Sequence, residues 1–295
     1  MRKTVFLMAA LAVGLGALWA QGMVSGRHVR AAEGGSRMPQ AARDTSGFTA
    51  LSTETRTLEV GDVKVTWIQD RAATQSASLF PGADPKLVDS LGLRGGIPSS
   101  MSVFLVESKG MRILFDTGLG AKDSRLLHLL SLMGLTPADI GFIYLTHLHG
   151  DHIGGLMQGG RAVFPTAQVF VAKQEFRGWM RMPAGKRAQV EKMAKAYRLN
   201  LHFFDFGDYL PGGVKTIDAS GHTPGHTAFR VGDLLIAGDI IHGAALQLAD
   251  LDLCPTYDME PAEARAARKR ILQYARMNNL VVAGMHLPAP GFMKF

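Results

Sequence analysis

The 295-residue chain has one cysteine, Cys254, which excludes an internal disulfide framework and any zinc site built from several cysteines. No cysteine stands near the N-terminus to carry a lipid. Aromatic residues make up only 8% and charged residues 19%, against 47% hydrophobic, and no repeat of fixed period is visible. Disorder, collagen and coiled coil are thereby excluded as the main architecture, and the length allows a sizeable core. Excess charge is also scarce. Lys+Arg exceed Asp+Glu by 32 to 25, but Arg2, Lys3, Arg27 and Arg30 lie in the first 32 residues, which contain no acid. The remainder carries only +3, so a pI near 9.6 is a weak argument for nucleic acid.

The first segment reads as an export signal. Arg2 and Lys3 precede the uncharged apolar run Val5 to Ala20, and a polar stretch of small residues follows. Val29-Arg30-Ala31 offers a cleavage site, and Leu18-Trp19-Ala20 an earlier, poorer one. The run of 16 residues is short for a span needing roughly 20. A cleaved signal over 1–31 and a periplasmic or secreted protein are expected, with an uncleaved anchor as the alternative. Residues 32–54 are rich in Gly, Ser and Ala and read as a flexible tether, leaving 55–295 as the working domain.

Within that domain Val63, Val65 and Trp67 alternate with polar residues as a half-buried strand. Hairpins are expected around Lys109-Gly110 and Gly232-Asp233, and short strands at Ile143 to Leu145, Val169 to Ala172 and Leu280 to Ala283. Helical spacing appears at Val190, Met193, Ala194 and Tyr197. It recurs at Ala264, Ala267, Ile271 and Ala275, where the start signal is Asp258 to Pro261 and the end is Asn278-Asn279. Phe80 to Ser100 reads mostly as loop, with a short helix around Pro85 to Leu91. Hairpins interspersed with helices fit an α/β sandwich of two sheets with helices outside, not a purely parallel sheet.

The chemistry is concentrated in Thr146-His147-Leu148-His149-Gly150-Asp151-His152, directly after an apolar strand. His147 and His149 can converge on one metal from an extended turn, while Asp151 and His152, entering a helix, can point at a second position. Imidazole and carboxylate are good zinc donors, and a coordination position left open can hold water. Packed so densely, these groups have no plausible role in a core. Three further elements add donors after strands: His222 and His226 in Gly221-His222-Thr223-Pro224-Gly225-His226, Asp239 after Ala237-Gly238, and His286 after Gly284-Met285. All could cluster along one edge of the sheets.

Over about residues 56 to 295 these motifs resemble the metallo-β-lactamase superfamily, with its His-x-His-x-Asp-His followed by separated His, Asp and His. The resemblance implies an αβ/βα sandwich with two mixed sheets and helices on the outer faces. It implies that His147, His149 and His222 hold one metal, that Asp151, His152 and His286 hold the other, and that Asp239 bridges both. Asp116, in Phe115-Asp116-Thr117-Gly118, matches the family's strand-end aspartate that supports the site from behind. The stretch Thr146 to Gln158, Phe164-Pro165, Gly221 to Thr227 and the ending His286-Leu287-Pro288-Ala289-Pro290-Gly291 are most similar to the methyl parathion hydrolase-like branch. Such relatives continue into closing strand structure, whereas nine residues follow His286 here.

The expected cofactors are two divalent metal ions, zinc first, sharing a hydroxide roughly 3.5–4 Å-spaced ions can activate at neutral pH. Asp151 borders both positions and is the expected proton shuttle. His226 reads either as orienting the site or as turn packing, and His242 either as a pocket residue or as a core or surface residue. Leu148, Phe176 and Trp179 are candidates for an apolar pocket wall, core packing being the alternative for the two aromatics. Cys254 reads as a buried small residue, and His28, His128 and His202 as structural.

The bridging Asp239 disfavours a β-lactamase. The nine-residue tail leaves no room for a glyoxalase II-type helical domain, and the leader disfavours a cytosolic RNA-processing enzyme. What remains is an exported hydrolase of small uncharged esters: lactones, aryl esters or phosphotriesters. The alternatives are a mononuclear iron persulfide dioxygenase, β-lactamase or thioesterase activity on the same fold, and a non-catalytic metal binder. A small-molecule ester is the expected partner. No nucleic acid is expected, a membrane only through an uncleaved leader, and a homodimer is left open.

Overall fold

The computed structural model describes residues 51–295 with their side chains and, before them, the backbone of two dipeptide strands; the leader lies outside the described residues. The first sheet has nine strands in the spatial order β1 (Ala42–Arg43), β2 (Thr49–Ala50), β3 (Thr55–Val60), β4 (Val63–Gln75), β5 (Ile97–Ser108), β6 (Met111–Phe115), β7 (Phe142–Tyr144), β10 (Gln168–Ala172) and β11 (Leu201–Phe204). A separate hairpin joins β8 (Met157–Gln158) to β9 (Arg161–Ala162). The second sheet runs β12 (Tyr209–Leu210), β13 (Val214–Asp218), β14 (Thr227–Val231), β15 (Leu234–Ile236), β16 (Val281–Ala283) and β17 (Phe292–Met293). Both sheets are mixed: β6, β7, β10 and β11 pair in parallel, as do β15 and β16, among antiparallel neighbours.

Alternation along the strands decides the layers, because successive side chains leave a strand on opposite faces. Val103, Leu105 and Leu114 face outward, onto Leu126 and Leu129 of α2 (Leu126–Leu132) and Val190 and Met193 of α5 (Ala184–Ala196). Phe104, Val106, Ile113 and Phe115 face inward, onto Phe229, Val231, Leu234 and Ile236 of the second sheet. The outer face of that sheet, Ala228, Leu235 and Val282, is covered by Ile271, Leu272 and Ala275 of α7 (Pro261–Met277). The order is helix, sheet, sheet, helix, the αβ/βα sandwich expected. Pro261 starts α7 where its missing N–H costs nothing. The remaining helices are α1 (Pro85–Ser90), α3 (Gly150–Ile153), α4 (Lys173–Met180) and α6 (Ala244–Ala249).

Three expectations change. Within the stretch expected as tether, β1 and β2 extend the edge of the first sheet, and Leu51 to Glu54 form a turn before β3. Residues expected as the end of a loop, Ile97 to Ser100, begin β5 and pair with Ala72 to Gln75. The nine-residue tail does close the second sheet, as Phe292 and Met293 pair with Ala283 and Val282. Gly291 makes that return possible, for a Cβ there would lie 2.2 Å from the Trp67 ring. Among the described residues no helix is long and apolar enough to cross a membrane.

Candidate metal centre

Strand ends of both sheets deliver the site. The loop after β7 carries Thr146 to His149, and α3 then presents Asp151 and His152. His222 follows β13, Asp239 follows β15 and His286 follows β16. Their donors converge on one carboxylate oxygen. Asp239 Oδ2 lies 3.0 Å from His286 Nε2, 3.2 Å from His152 Nε2, 3.5 Å from His222 Nε2 and 3.6 Å from His147 Nε2. His149 Nδ1 stands 2.9 Å from both His147 Nε2 and His222 Nε2, and Asp151 Oδ2 is 3.5 Å from His286 Nε2. Two donor groups result, His147 with His149 and His222, and Asp151 with His152 and His286, each within 4.8 Å, with Asp239 between.

This donor set fits divalent ions. Ring nitrogens of three neutral imidazoles face one another at hydrogen-bond distance, which only shared protons or a cation can reconcile. His152 Nε2 and Asp239 Oδ1 are buried with no hydrogen-bond partner, an arrangement that costs free energy unless something binds there.

The ligand candidates are held from behind. Asp116 adopts a left-handed backbone (φ 61°) at the end of β6, which an aspartate tolerates better than most side chains. Its carboxylate accepts from the Thr146 backbone N–H at 2.8 Å, the Thr146 hydroxyl at 2.7 Å and His152 Nδ1–H at 2.7 Å, so His152 Nε2 is turned toward the site. His286 Nδ1–H donates to Ser100 O at 2.7 Å, and His222 Nδ1–H to Asp258 Oδ1 at 2.8 Å. His226 Nδ1–H donates to Ala219 O and its Nε2 accepts the backbone N–H of Asp239 at 2.9 Å. Gly238 must be glycine beside it, since a Cβ would fall 2.3 Å from His226 Nε2.

Sequence reasoning missed Asp258, Glu175 and Ser100. Asp258 reads in sequence as a helix start, yet Glu260 occupies that cap and Asp258 serves His222. Buried Glu175 accepts from the N–H groups of Leu148 (2.9 Å) and Gly225 (2.7 Å), tying together the loops that carry His149 and His222.

Burial and mutual charge divide the imidazoles. Burial first, then neighbouring histidines, push His147 and His222 well down, and His149 to about 4. These rings are neutral and ready to donate lone pairs. His152 and His286 go the other way: burial opposes their charge, but Asp239 and Asp151 outweigh it, lifting His286 to about 9. Asp239 is held well below the carboxylate range, the field of His152, His286 and His147 overcoming its burial.

A cavity of about 520 Å³ opens above these groups, within the range of small-molecule sites. His149, Asp151, His222, Asp239 and His286 form its floor, with His242, whose Nε2 lies 3.1 Å from Asp239 Oδ2. Leu79, Met101, Leu119, Tyr257 and Gln75 form its wall. The wall expected in sequence is different. Leu148 and Trp179 are buried in the core beneath the site, Trp179 Nε1 donating to Glu175, and Phe176 packs against Phe203. Leu148 lies between two ligand candidates in the chain and the Trp179 ring stands edge-on to His149 at 5.6 Å, but both are on the core side of the loop. His128 is exposed, His202 stacks on Phe170, and Cys254 is half-buried, not buried.

Histidine and aspartate donors along one edge of a four-layer sandwich define a class of metal-binding αβ/βα proteins. The chain belongs to the metallo-beta-lactamase superfamily, whose family model matches residues 96–286. It is 31% identical to the N-acyl homoserine lactonase AttM of Azorhizobium caulinodans over 106 residues, 34% of this chain and 38% of that protein. It is 30% identical to the ribonuclease Z of Nanoarchaeum equitans over 119 residues, 38% of this chain and 33% of that one. The matched segment thus spans well under half the length of either relative. Among solved structures, the hydrolase AbOPH of the beta lactamase superfamily aligns with a TM-score of 0.73 and 28% identity, over 82% of this chain and 93% of that one. AidC, a dizinc quorum-quenching lactonase, shares the fold with a TM-score of 0.74 at 24% identity, over 82% and 94%.

Proposed function

We propose that this chain is a metal-dependent hydrolase of small uncharged esters, lactones and aryl esters first and phosphotriesters next, working with two divalent ions, zinc first. The observation that carries the reading is the convergence of His147, His152, His222 and His286 on Asp239 Oδ2 at 3.0–3.6 Å, with Asp151 and His149 alongside. His147, His149 and His222 would hold one ion, Asp151, His152 and His286 the other, with Asp239 between. Two such ions would lower the pKa of water enough to supply a nucleophile and would polarise the carbonyl or phosphoryl oxygen under attack.

The chain's own groups supply the rest. Asp151, with its side chain 23% exposed at the cavity floor, can carry a proton from the nucleophile to the leaving oxygen. Leu79, Met101 and Leu119 exclude water and take up the apolar part of the ester. Among the described residues no lysine or arginine lines the cavity, which favours a neutral substrate over a carboxylate-bearing β-lactam or RNA. The lactonase relatives agree with a cyclic ester. Export through the leader belongs to the same proposal, and an N-terminus near Ala31 or Ala32 in the mature protein would support it.

The test is a panel of lactones, aryl esters and phosphotriesters with the zinc-reconstituted protein. Turnover of neutral esters, absent from the metal-free protein, is expected. Selective turnover of anionic substrates, or persulfide oxidation with one bound iron, would overturn the reading.

A further inference from the structure

The inner stripe of α7 is apolar except at one position. Ala264, Ala267, Ile271, Leu272 and Ala275 are buried there, and Arg268 lies among them at 1% exposure. It is the one buried arginine or lysine among the described residues. A buried guanidinium is costly unless its donors are taken, so their acceptors say what it is for. Arg268 Nε donates to Ile240 O at 2.7 Å and Nη1 to Leu251 O at 2.9 Å, while Nη2 faces Asp258 Oδ2 at 3.5 Å. The three acceptors bracket the segment from Asp239 to Asp258, which presents Asp239, His242 and Tyr257 to the cavity. The other oxygen of Asp258 receives His222 Nδ1–H. Two backbone bonds close the loop, Met259 N–H to His222 O at 3.1 Å and Glu260 N–H to Gly221 O at 2.9 Å.

We propose that Arg268 is a positioning residue of the metal centre, acting on His222 through Asp258, with its bonds to Ile240 O and Leu251 O holding the guanidinium in place. Asp258 keeps the His222 proton on Nδ1, so Nε2 faces His149 and the first ion position. Arg268 holds Asp258 in that orientation. Only a planar fork with several donors can bridge three acceptors in this way, which a lysine cannot do. The other half of the centre is built differently: Asp116, behind His152, is held by Thr146 and needs no cation. Loss of Arg268 therefore falls chiefly on the ion at His147, His149 and His222. The inference rests on the two-ion reading above.

The experiment is zinc titration against a competing chelator for the full chain, Arg268→Met, Asp258→Asn and the double variant, with circular dichroism to establish folding. Each single variant should bind one of its two ions about 10–100-fold more weakly, the other staying within a few-fold. The double variant should be no weaker than the weaker single one, because both break the same link. Equal weakening of both ions, multiplying losses, or unchanged zinc affinity in a less stable protein would overturn the proposal. If Arg268→Met does not fold, Arg268→Lys carries the test: an intermediate loss at one ion is expected, and wild-type affinity at both contradicts it. Should the unaltered chain hold one ion only, the two-ion reading fails by itself. Arg268→Met must then still weaken that ion for the positioning role to stand.

Discussion

The imidazole of His226 accepts the backbone N–H of Asp239 at 2.9 Å, and so fixes the chain at the point where the central carboxylate leaves β15. Burial holds this ring neutral, with a pKa near 4, so the accepting lone pair persists through neutral pH. His226→Ala should leave that buried N–H unpaired, a loss of about 1–3 kcal/mol of stability. It should also weaken zinc by about 10–100-fold. Chemical unfolding and chelator competition on one preparation would check both, and unchanged zinc affinity would reduce His226 to turn packing.

His286 makes the metal-free protein sensitive to alkali. Its folded pKa is raised from 6.5 to about 9 by Asp239 and Asp151 against burial. A raised imidazole contributes stability that is fully present below 6.5 and is lost as pH climbs through 9. Metal-free protein should therefore become less stable between those values, and His286→Asn should flatten that limb. Zinc must displace the proton, so calorimetry near neutral pH in buffers of different ionisation enthalpy should register proton release. An identical heat in every buffer would count against a protonated His286.

Asp151→Asn should cut kcat by about 10²-fold or more on every ester turned over, because it removes a donor and the proton shuttle together. Near-normal turnover with both ions retained would exclude the assigned role.

The cavity wall yields a split in kinetic constants. Met101→Ala removes apolar contact equally from bound substrate and transition state, so KM for an apolar ester should rise about tenfold with kcat nearly unchanged. Trp179→Ala should behave as a core truncation, costing about 3–5 kcal/mol of stability. A KM effect of Trp179→Ala without loss of stability would restore that residue to the wall.

Much of this was legible in the chain. Seven donor side chains could be named because imidazole and carboxylate at such density after strand ends have few other uses, and because Gly-rich turns flank them. The two-sheet sandwich followed from hairpin turns and from alternation such as Val63, Val65 and Trp67. What escaped were the partners. Asp258 meets His222, and Arg268 meets Asp258, only because α7 folds back over the second sheet, and a lone aspartate or arginine carries no local signal of that. Glu175 carries no local signal either, being turned inward between two loops by α4. The wall was misread for a related reason. Leu79, Met101 and Tyr257 come from three distant segments that the tertiary fold alone brings together, whereas Leu148 and Trp179 are near the metal motif but point into the core. Strands β1 and β2 have two residues each, too short for alternation to register.

The central claim is that one carboxylate, Asp239, stands between two ion positions. Elemental analysis of the zinc-reconstituted chain, paired with Asp239→Ala, tests it most directly. The account predicts two tightly bound divalent ions per chain and the loss of at least one in the variant, with the fold retained. At most one tightly bound ion under metal-replete conditions, or two in Asp239→Ala, would contradict it.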